Sequence, residues 1–276
     1  RRQQTASAQC ARISQLPVDG LVVYDLQDES TRTDAKRPFP FLKAIDPFDY
    51  AFNYLADLHL HKVVYRSVAA QTRESLSAWL SKLAEKDAST VLVGAPSTDL
   101  QVNLNLGEAY KLRSELVPQV PLGGVTIAER HMEQGKEEER VSRKMGAGCT
   151  FFITQAVYSV TASKNLLSSL YYSSQTTGQK LPPILLTLSP CGSQKTLEFL
   201  AWLGVSVPQW LHNELTHAGN ILERSVDLAV ANFQELFDFA NEKGIALGCN
   251  VESVSLNKAE IDASVELVHR IAKVLK

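Results

Sequence analysis

Two periods of apolar residues alternate along this chain. Short apolar runs, covered on both faces, are each followed by a stretch whose apolar residues return every three or four positions. Leu21-Val22-Val23-Tyr24 is the first run, after a Pro17-Val18-Asp19-Gly20 turn and before Asp25. Lys62 to Val68, Thr90 to Gly94, Leu122 to Ala128, Cys149 to Ile153, Pro183 to Leu188 and Ile245 to Gly248 follow it. The helical stretches begin with Pro47 to Leu58. Thr72 then caps a helix with Leu76, Trp79, Leu80 and Leu83 on one face. Further helices are expected over Leu104 to Leu116, Ser163 to Ser174, and from Ser193 to a stop at Gly204. A long one carries Leu222, Val226, Ala229, Phe233, Leu236 and Ala240, and Gly244 ends it. Asn257 with Glu260 reads as a capping box opening the last.

Strand-then-helix repetition predicts an α/β fold with a parallel sheet and right-handed crossovers. No composition break marks a linker, so residues 1–276 read as one β/α-barrel catalytic domain. The seven visible units and the start without methionine suggest a (β/α)8 TIM barrel whose first strand lies upstream of Arg1. An open doubly wound sheet is the competing architecture, although no Gly-x-Gly-x-x-Gly turn follows any strand. Gln27 to Pro40 reads as a long loop, a length usually functional or mobile.

The stretch from Gly146 to Tyr158 concentrates the chemistry. Before it, Glu137 to Met145 places acids first and bases last, which suits a helix dipole. Gly146 suits a left-handed helix stop. Cys149 to Ile153 is apolar on both faces, and Thr154 and Gln155 follow where the strand should surface. Polar residues at the carboxyl ends of barrel strands share one rim. That rim would collect Asp25, Tyr65, Arg66, Gly94, Glu129, His131, Thr154, Gln155, Ser189, Asn250 and Glu252. Such a set suits a flat heterocycle and a proton transfer, with Glu129 as the candidate catalytic residue. Each also has a plain structural reading: Gln155 as a strand cap, Glu129 in an ion pair, His131 in solvent, Asn250 in a turn.

Composition narrows the classes further. With 276 residues and 45% hydrophobic content the chain can bury a large core, close to the roughly 250 residues of a single barrel. A net charge of −2 points away from nucleic acid and from an acidic membrane surface. No apolar run approaches the roughly 18 residues of a membrane span, and no signal peptide is visible. Four widely spaced cysteines without a Cys-x-x-Cys pair fit reduced thiols in the cytoplasm. No metal-ligand spacing, nucleophile elbow or P-loop is present.

Gly123-Gly124-Val125-Thr126-Ile127-Ala128-Glu129-Arg130-His131, then Gly146 to Tyr158, then Asn250 to Ser255 resemble methylenetetrahydrofolate reductase. The resemblance implies reduction of 5,10-methylenetetrahydrofolate to 5-methyltetrahydrofolate by NAD(P)H in one-carbon and methionine metabolism, with FAD at the barrel rim. It assigns Gln155, Thr154, Asn250, Glu252 and Lys258 to the folate. It assigns Gly94, Tyr65, Ile127, His131, Glu137 and Lys144 to the cofactor, the last three to its phosphate and adenosine half. It also allows a homo-oligomer or a partner subunit. Ala95 stands where that family has an aspartate, Tyr65 where it has a histidine and Ile127 where it has a tyrosine. These departures predict that flavin is held weakly or not at all. A folate-binding barrel of one-carbon transfer without redox chemistry is the second reading, and a barrel kept as an interaction module the third.

Overall fold

The computed structural model describes residues 2–28, 35–95 and 102–276. Its seven strands form one sheet in chain order: β1 (Gly20–Val23), β2 (His61–Ser67), β3 (Ala88–Val93), β4 (Leu122–Thr126), β5 (Cys149–Ala156), β6 (Ile184–Leu188) and β7 (Leu247–Val251). Paired strands run parallel, with Val23 opposite Val64, Tyr65 opposite Val91 and Thr187 opposite Asn250. Parallel strands in sequential order with helical crossovers make this an α/β fold of the TIM-barrel type, as the alternating periods imply.

The helices are α1 (Arg2–Ile13), α2 (Pro47–Asp49), α3 (Arg73–Ala84), α4 (Leu106–Leu116), α5 (Ala128–Gln134), α6 (Glu137–Gly146), α7 (Val160–Thr177), α8 (Gln194–Trp202), α9 (Gln209–Thr216), α10 (Ile221–Glu242) and α11 (Lys258–Val274). Thr72 and Ser193 cap α3 and α8 through their side chains, as expected. The stretch expected as one helix over Pro47 to Leu58 is instead α2 followed by a π-helical turn, Tyr50–Tyr54. The wider turn brings Leu55 into a buried cluster with Ala6 of α1 and Leu58, flanked by Tyr50 and Tyr54. Gly146 closes α6 without a left-handed backbone; Gly148 takes that conformation, with φ of 98°. Asn257 caps α11, but Glu260 is buried against Thr196 rather than closing a capping box. Of the expected loop from Gln27 to Pro40, residues 29–34 lie outside the described residues.

The chain divides into two compact units. The first comprises Arg1–Lys36, Pro40–Gly124 and Lys144–Thr150, and the second Arg37–Phe39, Val125–Arg143 and Phe151–Lys276. Val64, Val91 and Leu92 are buried in the first, with Leu76, Leu80 and Leu83 of α3. Phe152, Ile153, Ile184, Leu186 and Leu188 are buried in the second, with Phe233, Leu236 and Ala240 of α10. Among the described residues, no helix is long and apolar enough to cross a membrane.

Candidate functional site

The second unit holds all five expected folate-site residues, Thr154, Gln155, Asn250, Glu252 and Lys258. Pairing of β5 with β6 is irregular between Ile153 and Ala156. Thr154 and Gln155 form this bulge inside the strand, where the apolar pattern placed them just beyond it. Bulges re-aim side chains and are common beside active sites. Thr154 Oγ1 accepts from the Thr187 N–H at 2.9 Å, and Thr187 Oγ1 donates to the Thr154 carbonyl at 2.7 Å. Asn250 Nδ2 then donates to Thr187 Oγ1 at 3.1 Å. All three side chains are buried, so they form a fixed polar floor across β5, β6 and β7.

Gln155 is half-buried, and its Nε2 donates to the Leu203 carbonyl at 3.1 Å, just past α8. Holding the amide nitrogen fixes the carboxamide plane and directs its oxygen away from that carbonyl. Helices α8 and α9 pack their apolar faces with β5: Leu197, Leu200, Leu211 and Leu215 cluster with Ala156 and Tyr158. Tyr158 donates to the Ser189 carbonyl at 2.7 Å. Arg37 and Phe39 also pack on α8. The Arg37 guanidinium lies 4.9 Å from the Trp202 ring, and Phe39 meets Phe199 edge-on at 5.3 Å. The sequence gives no local signal for this clamp, because a loop residue's partner is set by chain path alone.

Glu129, directly after the apolar run Leu122 to Ala128, lies in the first turn of α5. Its side chain is buried, and Oε1 has no hydrogen-bond partner. Burial, with the nearby Glu133 charge, pushes its carboxyl up from 4.5 to about 7 despite a backbone hydrogen bond that opposes the shift. A carboxyl so placed carries or accepts a proton near neutral pH. Glu252 is half-buried after β7, and its N–H donates to the Leu188 carbonyl at 3.0 Å. Lys258 opens α11 as an exposed side chain 2.6 Å from Asp262.

The residues that the resemblance assigns to the flavin's phosphate half are engaged within the protein. Glu137 is fully buried. Oε1 accepts from Thr126 Oγ1, the Ile127 N–H and Arg130; Oε2 accepts from Arg130 and Arg140. Burial alone would raise its pKa, but the hydrogen bonds and charge of Arg130, with Ile127 and Arg140, outweigh burial and lower it. His131 lies between Ser169, 3.1 Å from Nε2, and Glu138, 3.0 Å from Nδ1. Lys144 falls in the first unit, its charge favouring the Cys149 thiolate. As folded, Glu137 and His131 do not fit a flavin diphosphate. Tyr65 and Gly94 also fall in the first unit, at the carboxyl ends of β2 and β3. All four cysteines are free, and no metal-binding cluster occurs among the described residues.

No protein-family model matches the sequence, and no curated protein does. Among solved structures, the chain is similar to an uncharacterized protein from Clostridium thermocellum that binds two copies of 5-methyl-5,6,7,8-tetrahydrofolic acid. Identity is 44% with a TM-score of 0.86, over 99% of this chain and 88% of that one. A GH113 beta-1,4-mannanase shares only the fold, at 12% identity and a TM-score of 0.52 over 98% of this chain and 93% of that one.

Proposed function

Since the chain belongs to the same family as the Clostridium thermocellum protein, we propose that it binds a reduced folate of the 5-methyltetrahydrofolate class. The observation that carries this is 44% identity, over 99% of the chain, to a protein that binds that ligand. The second unit supplies suitable chemistry. The Gln155 carboxamide oxygen faces a donor-rich pteridine edge, the Thr154–Thr187–Asn250 floor holds the bulge in place, and Glu129 offers a proton. Gln155→Ala should weaken binding of 5-methyltetrahydrofolate by about 1–3 kcal/mol while leaving the fold intact. Calorimetry checks this, and equal affinities in wild type and variant would remove Gln155 from the site.

The finer reading is reduction of 5,10-methylenetetrahydrofolate to 5-methyltetrahydrofolate. The buried acid favours it over passive carriage, because opening the methylene bridge at N10 needs a proton there. Glu129 supplies that proton as the C–N10 bond breaks. A nicotinamide, the reductant that the resemblance implies, would supply the hydride to the bridge carbon. Purified protein should oxidise NAD(P)H only when methylenetetrahydrofolate is added, and Glu129→Gln should slow this by about 100-fold or more. Tight folate binding without nicotinamide oxidation would instead leave a one-carbon carrier that acts with a partner subunit.

A further inference from the structure

We propose that Glu260 is a positioning residue of the folate site, which sets the Gln155 carboxamide by acting through α8. The proposal rests on the reduced-folate reading above and adds a residue to that same site.

Glu260 lies in the first turn of α11 and is 2% exposed. Its Oε1 accepts from Thr196 Oγ1 of α8 at 2.8 Å, while Oε2 is buried without a hydrogen-bond partner. A buried carboxylate held by one hydroxyl is costly, and an apolar side chain of similar volume would serve packing better. Capping of α8 does not require it either. Ser193 Oγ already accepts the Thr196 N–H at 3.1 Å and lies 2.9 Å from Thr196 Oγ1. Glu260 adds an anchor from a different element.

The segment that leads into α8 is shaped to this carboxylate. A Cβ at Gly192 would meet Glu260 Oε1 at 2.5 Å and Cγ at 2.6 Å, so only a glycine allows the approach. The Cys191 N–H donates to Ser225 Oγ at 2.9 Å, which ties the same segment to α10. Tyr158, close after the β5 bulge, is held above its usual range by burial first, then by the charges of Cys191, Glu252 and Glu260. The carboxylate therefore stands beside the end of β5.

The other end of α8 delivers the effect. Leu203 is its C-cap, and the Leu203 carbonyl accepts from Gln155 Nε2 at 3.1 Å. With 9 residues, α8 is a stiff rod of about 14 Å, so a shift where Glu260 holds it reaches that carbonyl. Glu260 itself follows β7, the strand whose Asn250 completes the polar floor. The floor holds the bulge, and Glu260 holds the helix that orients the amide projecting from it.

The test pairs a double-mutant cycle with a signal that needs no ligand. Glu260→Met removes the buried charge at similar volume, so its melting temperature should equal or exceed that of wild type. Its binding of 5-methyltetrahydrofolate should nevertheless weaken about 10-fold or more in calorimetry. Thr196→Val should weaken binding likewise, and Glu260→Gln, which keeps the Oε1 acceptor, should bind like wild type. In a Gln155→Ala background, Glu260→Met should cost nothing further. Without folate, the Gln155 side-chain amide signals in nuclear magnetic resonance, identified by their loss in Gln155→Ala, should shift in Glu260→Met. Wild-type affinity in Glu260→Met and Thr196→Val, or an equal loss with and without Gln155, would overturn the positioning role and leave the folate reading standing. An amide signal unchanged by Glu260→Met would overturn that role whatever the ligand. Wild type that takes up no folate would overturn the folate reading itself.

Discussion

Glu129 and Glu137 are buried carboxyls of one unit with opposite electrostatics. Glu137 meets two arginines and a backbone N–H, so its pKa is lowered. Its contribution is present at neutral pH and lost as the pH falls below about 4.5. Glu137→Gln should cost about 2–4 kcal/mol at pH 7, because Arg130 and Arg140 lose a charged acceptor; a urea midpoint shift measures it. For Glu129, burial outweighs a single backbone hydrogen bond, and its pKa is raised from 4.5 to about 7. A raised carboxyl favours folding below pH 4.5, and that advantage disappears as the pH rises through about 7. Glu129→Gln should therefore stabilise the fold by about 1–3 kcal/mol at pH 8 and change little at pH 4. Melting curves at the two pH values check the sign. A variant less stable than wild type at pH 8 would mean that a cation pairs with the carboxylate.

At the scale of elements, α8 and α9 extend the connection between β6 and α10 and carry the Leu203 carbonyl that holds Gln155. Their apolar faces join the cluster around Tyr158, and the Arg37–Phe39 segment fastens α8 from outside. Lys195 adds a second cation–ring contact, 4.6 Å from Phe39. Removing one aromatic partner from such a clamp loosens the element locally rather than unfolding the chain. Phe39→Ala should lower the protection of α8 amides by about 1–2 kcal/mol, read by hydrogen exchange, and leave α10 unchanged. Equal protection in both proteins would show that the apolar cluster alone holds α8.

For the whole molecule, ligand binding adds to stability by mass action, about 2.7 kcal/mol per site at 100 times Kd. Denaturant titrations with and without 5-methyltetrahydrofolate should show a gain of about that size. The sequence by itself determined the seven strands, their parallel order and most helix starts. Each rests on a local cause: apolar period, a capping side chain, a glycine stop. Helices α1, α5 and α9 escaped it, and so did the π turn, because neighbours along the chain do not specify them. Thr154 and Gln155 were legible as polar residues near the end of β5, but their bulge exists only once Thr187 of β6 is alongside. The pattern marked Glu137 as an acid in the first turn of α6. Only the tertiary structure surrounds it with Thr126, Ile127 and Arg130 and makes it an internal hub. It alone also buries Glu129 with Oε1 unsatisfied, since desolvation depends on what packs over a residue and not on what precedes it.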